Sequence, residues 1–314
     1  MIYVEMNGRL GNQMFRYAFA RRLQLESPDG KEPLAFDFSN IYAEKKKDEM
    51  PGWEDSLRHF QVVPYEEYKK EGKLIWNETN PGEKAVLALA MAGDRLVRKK
   101  GTNARLSWRK HFFKWQNAHG IYQIFVGYDY PFQWVKKENK IVAGPFECAR
   151  YCEEIRDVLV REFTPKYPVL EKNQAFFEKI RTTNSVCITI RRGNYLQYKA
   201  LDVCTVDYFR RAVEKMRELV KDPVFFVFSD EIGWAKENLP IDGEVYYETG
   251  DDPVWEKLRL MYSCKHFIIS NSTFSWWAQF LGQAPEKEVI APKPWFHGEY
   301  QPPLYEKGWH VLEV

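Results

Sequence analysis

The chain has 314 residues, 45% hydrophobic and 29% charged, with a formal net charge of +2. That length and apolar content suit two domains or one large one and exclude a disordered chain. So small a net charge makes no bulk electrostatic case for nucleic acid, and no run of ~18 apolar residues offers a transmembrane span. Five cysteines, Cys148, Cys152, Cys187, Cys204 and Cys264, cannot all pair internally and form no CxxC, which points to a reducing compartment. The start, MIYVEMNGRLG, has no cationic region ahead of a long apolar one, so no signal peptide is expected and the location is read as cytoplasmic. Aromatic content is high, with 11 Trp, 18 Tyr and 21 Phe, which fits either core packing or stacking against sugar rings.

In chain order, IYVEM (2–6) reads as a buried strand, NGRLGN (7–12) as a turn and QMFRYAFARRLQL (13–25) as a helix with Met14, Phe15, Ala18, Phe19 and Leu23 on one arc. LAFDF (34–38) is the next strand, so the chain opens β-α-β and favours a parallel sheet. Residues 40–120, with the charge run EKKKDE and several tryptophans, suggest helices and loops with little sheet. Within them 95–115 carries eight Lys/Arg and no acid, interleaved with Trp and Phe. It is either a solvated basic face or a peripheral contact with an anionic membrane. GIYQIFVGYDY (120–130) suits a strand or an acceptor-lining loop; 148–163 suits one amphipathic helix, followed by a linker, TPKYP.

The second half alternates more cleanly. Strands VCITI (186–190), VFFVF (224–228), EVYY (244–247), HFIIS (266–270) and a final EVIAP (288–292) are separated by helices at 206–220, 231–239, 252–264 and 273–282. Short apolar strands alternating with helices describe a doubly wound parallel sheet.

Ligands of such sheets bind outside the carboxyl ends of the strands. There stand Arg191, Arg192, Gly193 and Asn194, then Ser229, Asp230 and Glu231, then Asn271, Ser272 and Thr273 at the start of a helix. Guanidinium forks, helix-start N–H groups and a glycine permitting close backbone approach suit a nucleoside diphosphate, with Asp230 able to accept from a base or ribose. Taken singly, Ser272, Thr273 and Asp230 also suit plain helix capping. Two adjacent guanidinium groups repel unless an anion or carboxylates compensate. GRLGNQ is a second phosphate-loop candidate, although it is neither G-x-G-x-x-G nor a P-loop. There is no DxD, HExxH, paired CxxC or G-x-S-x-G, and the six histidines are scattered.

GRLGNQMFRYAFA (8–20), IRRGNYL (190–196), FVFSDEIGWAKENL (226–239) and CKHFIISNSTFSWWAQFL (264–281) resemble, in order, the motifs of galactoside α-1,2-fucosyltransferases, glycosyltransferase family 11. FECARYCEEIRDVLVREF (146–163) and IAPKPWF (290–296) look like that family's surroundings. The resemblance implies an α/β, GT-B-like fold of two facing Rossmann-type domains, here 1–163 on the acceptor side and 164–314 binding GDP-fucose, with the active site between them. It implies inverting transfer from GDP-L-fucose, a co-substrate, to a galactose-terminated oligosaccharide or lipid-linked glycan, with no metal and no other cofactor.

By the same similarity Arg191 would hold the β-phosphate, Asp230 the guanosine side, and Ser272, Thr273 and Ser275 phosphate or fucose. Asn12 would face the donor sugar, and Arg9, Gly11, Gln13, Arg192, Gly193, Asn194 and Asn271 complete the donor set. The family often reads H-x-R-R-G-D-Y, so Thr189 stands for its His and Asn194 for its Asp. The acceptor base is expected at Asp37, with Glu5, Asp129 and Glu147 as alternatives. Rival readings are a fucosyltransferase of another linkage or acceptor, a catalytically silent glycan- or nucleotide-binding homologue, and a nicotinamide oxidoreductase, which the missing fingerprint glycines disfavour.

Overall fold

A computed structural model describes residues 1–47 and 51–314. The charge run at 44–49 thus lies partly outside the described residues. The chain divides into two compact units, Met1–Leu57 with Val62–Leu159, and Arg58–Gln61 with Val160–Val314. The division expected at 163/164 therefore falls a few residues earlier. The segment Arg58–Gln61 joins the second unit because Gln61 N–H donates to Thr164 O and Lys166 N–H to His59 O.

In the first unit, strands β1 (Ile2–Glu5), β2 (Leu34–Asp37), β3 (Glu66–Glu67), β4 (Ile121–Gln123) and β5 (Lys140–Ala143) form one sheet in the order β3-β2-β1-β5-β4. Every pairing is parallel. The connecting helices are α1 (Leu10–Leu25), α2 (Ser39–Lys45), α3 (Leu74–Asn77), α4 (Pro81–Val97) and α5 (Thr102–Ala118), with α6 (Ala149–Glu153) and the start of α7 (Arg156–Glu162) after β5. α1 begins three residues before the expected position and takes in Asn12. Met14, Phe15, Ala18, Phe19 and Leu23 are fully buried, as their spacing requires.

α4 starts at a capping box, in which the Asn80 side chain accepts from Glu83 N–H, Glu83 returns the bond, and Pro81 occupies the first turn. The single helix expected over 148–163 is two. The break falls at Glu154, whose carboxylate is held by Arg22 and Arg150. β5 was not foreseen. Its buried Lys140 breaks the apolar pattern and is satisfied by Glu32 at 2.7 Å.

In the second unit, α8 (Gln174–Thr182), β6 (Asn184–Ile190), α9 (Val206–Leu219), β7 (Pro223–Ser229), α10 (Ile232–Asn238), β8 (Val245–Tyr247), α11 (Val254–Tyr262), β9 (His266–Ile268), α12 (Thr273–Leu281), β10 (Val289–Lys293) and β11 (His310–Glu313) follow in turn. The sheet order is β11-β10-β9-β6-β7-β8, again with parallel pairing throughout. The expected last strand is thus the second last, and β11 forms the edge beside it. α9 is capped by Thr205, whose side chain accepts from Tyr208 N–H, and lays Tyr208, Phe209, Ala212, Val213 and Met216 on the sheet. α12 is buried nearly all round, with Trp276, Trp277 and Phe280 inaccessible to solvent.

Candidate active site

From β6 the second sheet grows one way through β7 and β8, and the other way through β9, β10 and β11. The chain therefore reverses between β6 and β9, and the crevice at their carboxyl ends is where an open α/β sheet receives a ligand. Three of the expected clusters leave from β6, β7 and β9, which are contiguous strands. Arg191 Nη1 pairs with Asp230 Oδ2 at 2.8 Å, and its Nη2 donates to Asn194 Oδ1 at 2.6 Å. Asp230 Oδ1 accepts the backbone N–H of Arg192 at 2.9 Å. The Arg192 side chain turns aside. Its Nε meets Glu231 at 3.0 Å and its guanidinium lies 3.5 Å from the centroid of the Trp234 ring. Each arginine thus has its own carboxylate, which relieves the repulsion that their adjacency implies.

Gly193 is required at its position. Its φ is +24°, and a Cβ there would sit 2.6 Å from Asp230 Oδ2. At the β9 exit, Ser270 N–H donates to Thr189 Oγ1 at 3.1 Å, and the Ser270 and Ser275 hydroxyls meet at 3.0 Å. Thr189 therefore braces β6 against β9. Ser272 stands at the N-cap of α12 without a side-chain capping bond, and Thr273 opens the helix.

Asn271 has other work. It is 1% exposed and its amide donates to Leu201 O and Trp295 O, both at 3.0 Å, clasping two loops. Sequence reasoning missed Trp234 and Glu248. Glu248 Oε1 accepts from Ser229 N–H at 2.8 Å and its other oxygen meets Lys257 at 2.8 Å, fixing the β7 exit. Burial nevertheless raises its carboxyl above the ordinary range. The rule of inspecting polar groups just past each strand, applied to β8, would have found it.

The first unit has a site-like edge of its own. Its strand order reverses between β1 and β5. At their exits Arg16, 5% exposed, donates to the carbonyls of Glu5 and Gly144, and its Nε has no hydrogen-bond partner. Burial lowers its pKa against the pull of Glu5 and Glu147. Burial raises Glu5, helped by Asp37 and opposed by Arg16.

Glu147 is only partly exposed, and burial pushes its carboxyl up to about 7 against Arg16. Its loop is rigidly set. Phe146 has φ +50° with its ring stacked 4.0 Å from Phe19, and a Cβ on Gly127 would lie 2.3 Å from Glu147 O. Asp37, 4% exposed, accepts from Ser39 N–H at 2.9 Å and so opens α2. Asp129 is spent on Arg150, at 2.6 Å, at the surface.

In the GRLGNQ turn, Gly8 has φ +74° and a Cβ there would strike the Asn12 side chain. Arg9 lies over Trp53 at 5.3 Å, and Gly11 is buried in the first turn of α1. Gln13 is fully buried and its amide is consumed by Gly8 O, Glu54 O and Ser56 N–H, so it pins the 54–56 loop.

Two Rossmann-type α/β units, the second with an arginine-carboxylate rim at its switch point, are the architecture of a GT-B-type protein. The chain belongs to glycosyltransferase family 11, whose model matches residues 1–313. It is 34% identical over 183 residues to an alpha-1,2-colitosyltransferase of Escherichia coli, a match covering 53% of this chain and 62% of that one. It is 24% identical to the O-antigen biosynthesis glycosyltransferase WbnK of Escherichia coli, over 98% of this chain and 99% of that one. With human galactoside alpha-(1,2)-fucosyltransferase 1 it shares 29% over 171 residues, 47% of this chain and 46% of the human protein. Thus the match spans less than two thirds of two of these three. The fucosyltransferase NodZ from Bradyrhizobium superposes with a TM-score of 0.53 at 11% identity, over 89% of this chain and 92% of that one. That likeness is one of fold.

Proposed function

We propose that the chain transfers L-fucose from GDP-β-L-fucose to the 2-hydroxyl of a terminal galactoside, with inversion and without a divalent ion. The second unit takes the nucleotide and the first presents the acceptor. The observation that carries this reading is Arg191, set by Asp230 and Asn194 at the strand exit where the sheet reverses. As the bond from fucose C1 to the β-phosphate oxygen breaks, charge builds on the diphosphate. A fixed guanidinium and the N–H groups at the start of α12 meet that charge without a metal. Asp230 serves the guanosine side, with Gly193 letting the backbone close in. Ser272, Thr273 and Ser275 line the phosphate or sugar, and Asn12, Arg9 and Gly11 add donor contacts. The relatives named as α-1,2-fucosyl- and α-1,2-colitosyltransferases support the linkage, and the fucosyltransferase supports the sugar.

The acceptor O2 bonds to C1 and gives up its proton to a carboxylate on the first sheet's edge. Asp37 is one such group. Glu147 is better suited, because a base with pKa near the working pH is partly deprotonated yet still takes a proton readily. The colitosyltransferase match favours a second donor reading, GDP-colitose, in which the sugar lacks the 3-hydroxyl of fucose. Purified chain in EDTA with each donor and a panel of galactosides tests all of this, with linkage read by NMR. The expected result is acceptor-dependent GDP release and an α-fucosyl proton coupled to galactose C2. Release that is indifferent to acceptor, or activity restored only by manganese, would overturn it.

A further inference from the structure

α4 is apolar on both sides. Its inner face packs Leu87, Ala90 and Gly93 into the unit. Its outer face, at i, i+3, i+4, i+7 and i+11, shows Ala85, Ala88, Leu89, Ala92 and Leu96, all exposed, with Leu89 at 60% and Leu96 at 82%. A solvent-facing helix ordinarily carries charge there. Directly beyond this ridge Arg95, Arg98, Lys99 and Lys100 are all exposed.

The basic stretch 95–115 is not one surface. Arg105 turns inward to grip Asp94 with two bonds of 3.0 and 2.8 Å, and Arg109 is buried beside the same carboxylate. What remains outward on α4 and the turn after it is an apolar ridge ending in four cations, while Lys110 and Lys114 are exposed on α5.

We propose that the outer face of α4, with its cationic C-terminal turn, docks on an anionic phospholipid surface. The leucines enter the headgroup boundary while the arginines and lysines meet lipid phosphates, the division of labour of a helix lying in the interface plane. Charge complementarity selects this occupant. Nucleic acid offers nothing to cover a leucine ridge. A second copy laid antiparallel would bring the cations to a helix whose two carboxylates, Glu83 and Asp94, are buried and already bonded, Glu83 to Asn80 N–H and Lys137, and Asp94 to Arg105. This surface is separate from the donor chemistry above, so its test stands whether or not the proposed transfer reaction does.

The full chain is floated with vesicles of phosphatidylcholine alone and of phosphatidylcholine with 30% phosphatidylglycerol. Binding is expected only to the anionic vesicles, and it falls steeply when salt is raised from ~0.1 to ~0.5 M. Leu89→Glu/Leu96→Glu and Arg98→Glu/Lys99→Glu/Lys100→Glu are each expected to weaken it ~10-fold or more, with unchanged melting curves and unchanged turnover on a soluble acceptor. No binding by the parent, equal binding to neutral vesicles, or parental binding by the leucine variant would overturn the proposal. So would a dimer in light scattering that the leucine variant dissolves.

Discussion

Replacing Arg191 by alanine tests the donor rim most directly. The side chain is 22% exposed and its partner Asp230 18%, so their ion pair is partly screened by water at the rim and contributes on the order of 1 kcal/mol to stability. The variant is therefore expected to fold. Its catalytic loss comes from two sources. Removing one preorganised donor to a developing oxyanion costs ~2.7–4 kcal/mol, or about 100- to 1000-fold in kcat. The deletion also leaves the Asp230 carboxylate with only the Arg192 N–H, facing a dianionic ligand. At ~6 Å and an effective dielectric near 20, one such repulsion is ~3 kcal/mol. The loss on Arg191→Ala should therefore lie at the upper end of that range or beyond it. Under donor saturation, where the guanosine contact proposed for Asp230 enters KM and not kcat, adding Asp230→Asn should return ~10-fold or more of the lost kcat, against expectation for two independent losses. Arg191→Lys keeps the charge but cannot span Asp230 and Asn194 together, and is expected to lose ~10- to 100-fold. The assay is GDP release under donor saturation with a galactoside, alongside a thermal melt. A folded Arg191→Ala enzyme with near-parental kcat, or a double variant worse than either single one, would refute the reasoning.

Three further outcomes follow from the geometry. Gly193→Ala places a methyl 2.6 Å from Asp230 Oδ2 at φ +24°, so the carboxylate must leave its position. A loss of ~10-fold or more in kcat/KM is expected with little change in melting temperature. Gly93→Ala drives a Cβ to 2.2 Å from the Trp108 ring, whose Nε1 donates to Ala90 O at 2.8 Å. Overpacking of this kind costs ~1–3 kcal/mol, and a melting temperature lowered by several degrees is expected, while an unchanged one would show the hairpin to be plastic. Glu147, raised from 4.5 to about 7 in the folded chain, holds its proton more tightly folded than unfolded. Its contribution to stability is thus whole below pH 4.5 and is lost as pH rises through 7. Glu147→Gln should match the parent near pH 4.5 and be the more stable by on the order of 2 kcal/mol above pH 7, allowing for partial exposure. If Glu147 is the base, the same variant loses the limb near pH 7 from its rate profile and Asp37→Asn keeps it. Melting curves and pH-rate profiles check both.

Much of the second unit was legible in the chain because its inner strands are buried on both faces and read as unbroken apolar runs. The strands β6, β7, β9 and β10 fall within about two residues of expectation for that reason. Edge strands carry a weaker signal: β8 was still legible as EVYY, to within one residue, but β11 was not. β11 alternates half-buried and exposed residues, and it is a strand only because β10 pairs with it. In the first unit, β5 has a lysine at a buried position whose partner, Glu32, is more than a hundred residues away.

The site shows the same division. Arg191 and Asp230 announce themselves as charges at strand exits. Gln13 and Asn271 invite the same reading, yet their amides are consumed by the backbone of Glu54 and Ser56 and of Leu201 and Trp295. Those partners are set by the fold and leave no local mark. Trp234 and Glu248 act from the next helix and the next strand, so adjacency to the arginine motif could not reveal them.

The two arginines also explain each other. Neither could stay at a half-buried strand exit uncompensated, and the fold gives each its own carboxylate from the loop after β7. Before any ligand arrives the rim is therefore close to neutral, with Arg191 held in place at no cost in repulsion. Its attraction for a diphosphate must come from geometry and from sharing Arg191 with Asp230, since net charge supplies little. In that setting Asn194 has a physical rationale. It keeps the 2.6 Å hydrogen bond that an aspartate would make to Arg191, but it brings no second negative charge. An aspartate at 194 would leave one guanidinium between two carboxylates, a net anionic cluster facing an anionic ligand. The asparagine retains the orientation and removes that opposition, so it is compatible with donor binding.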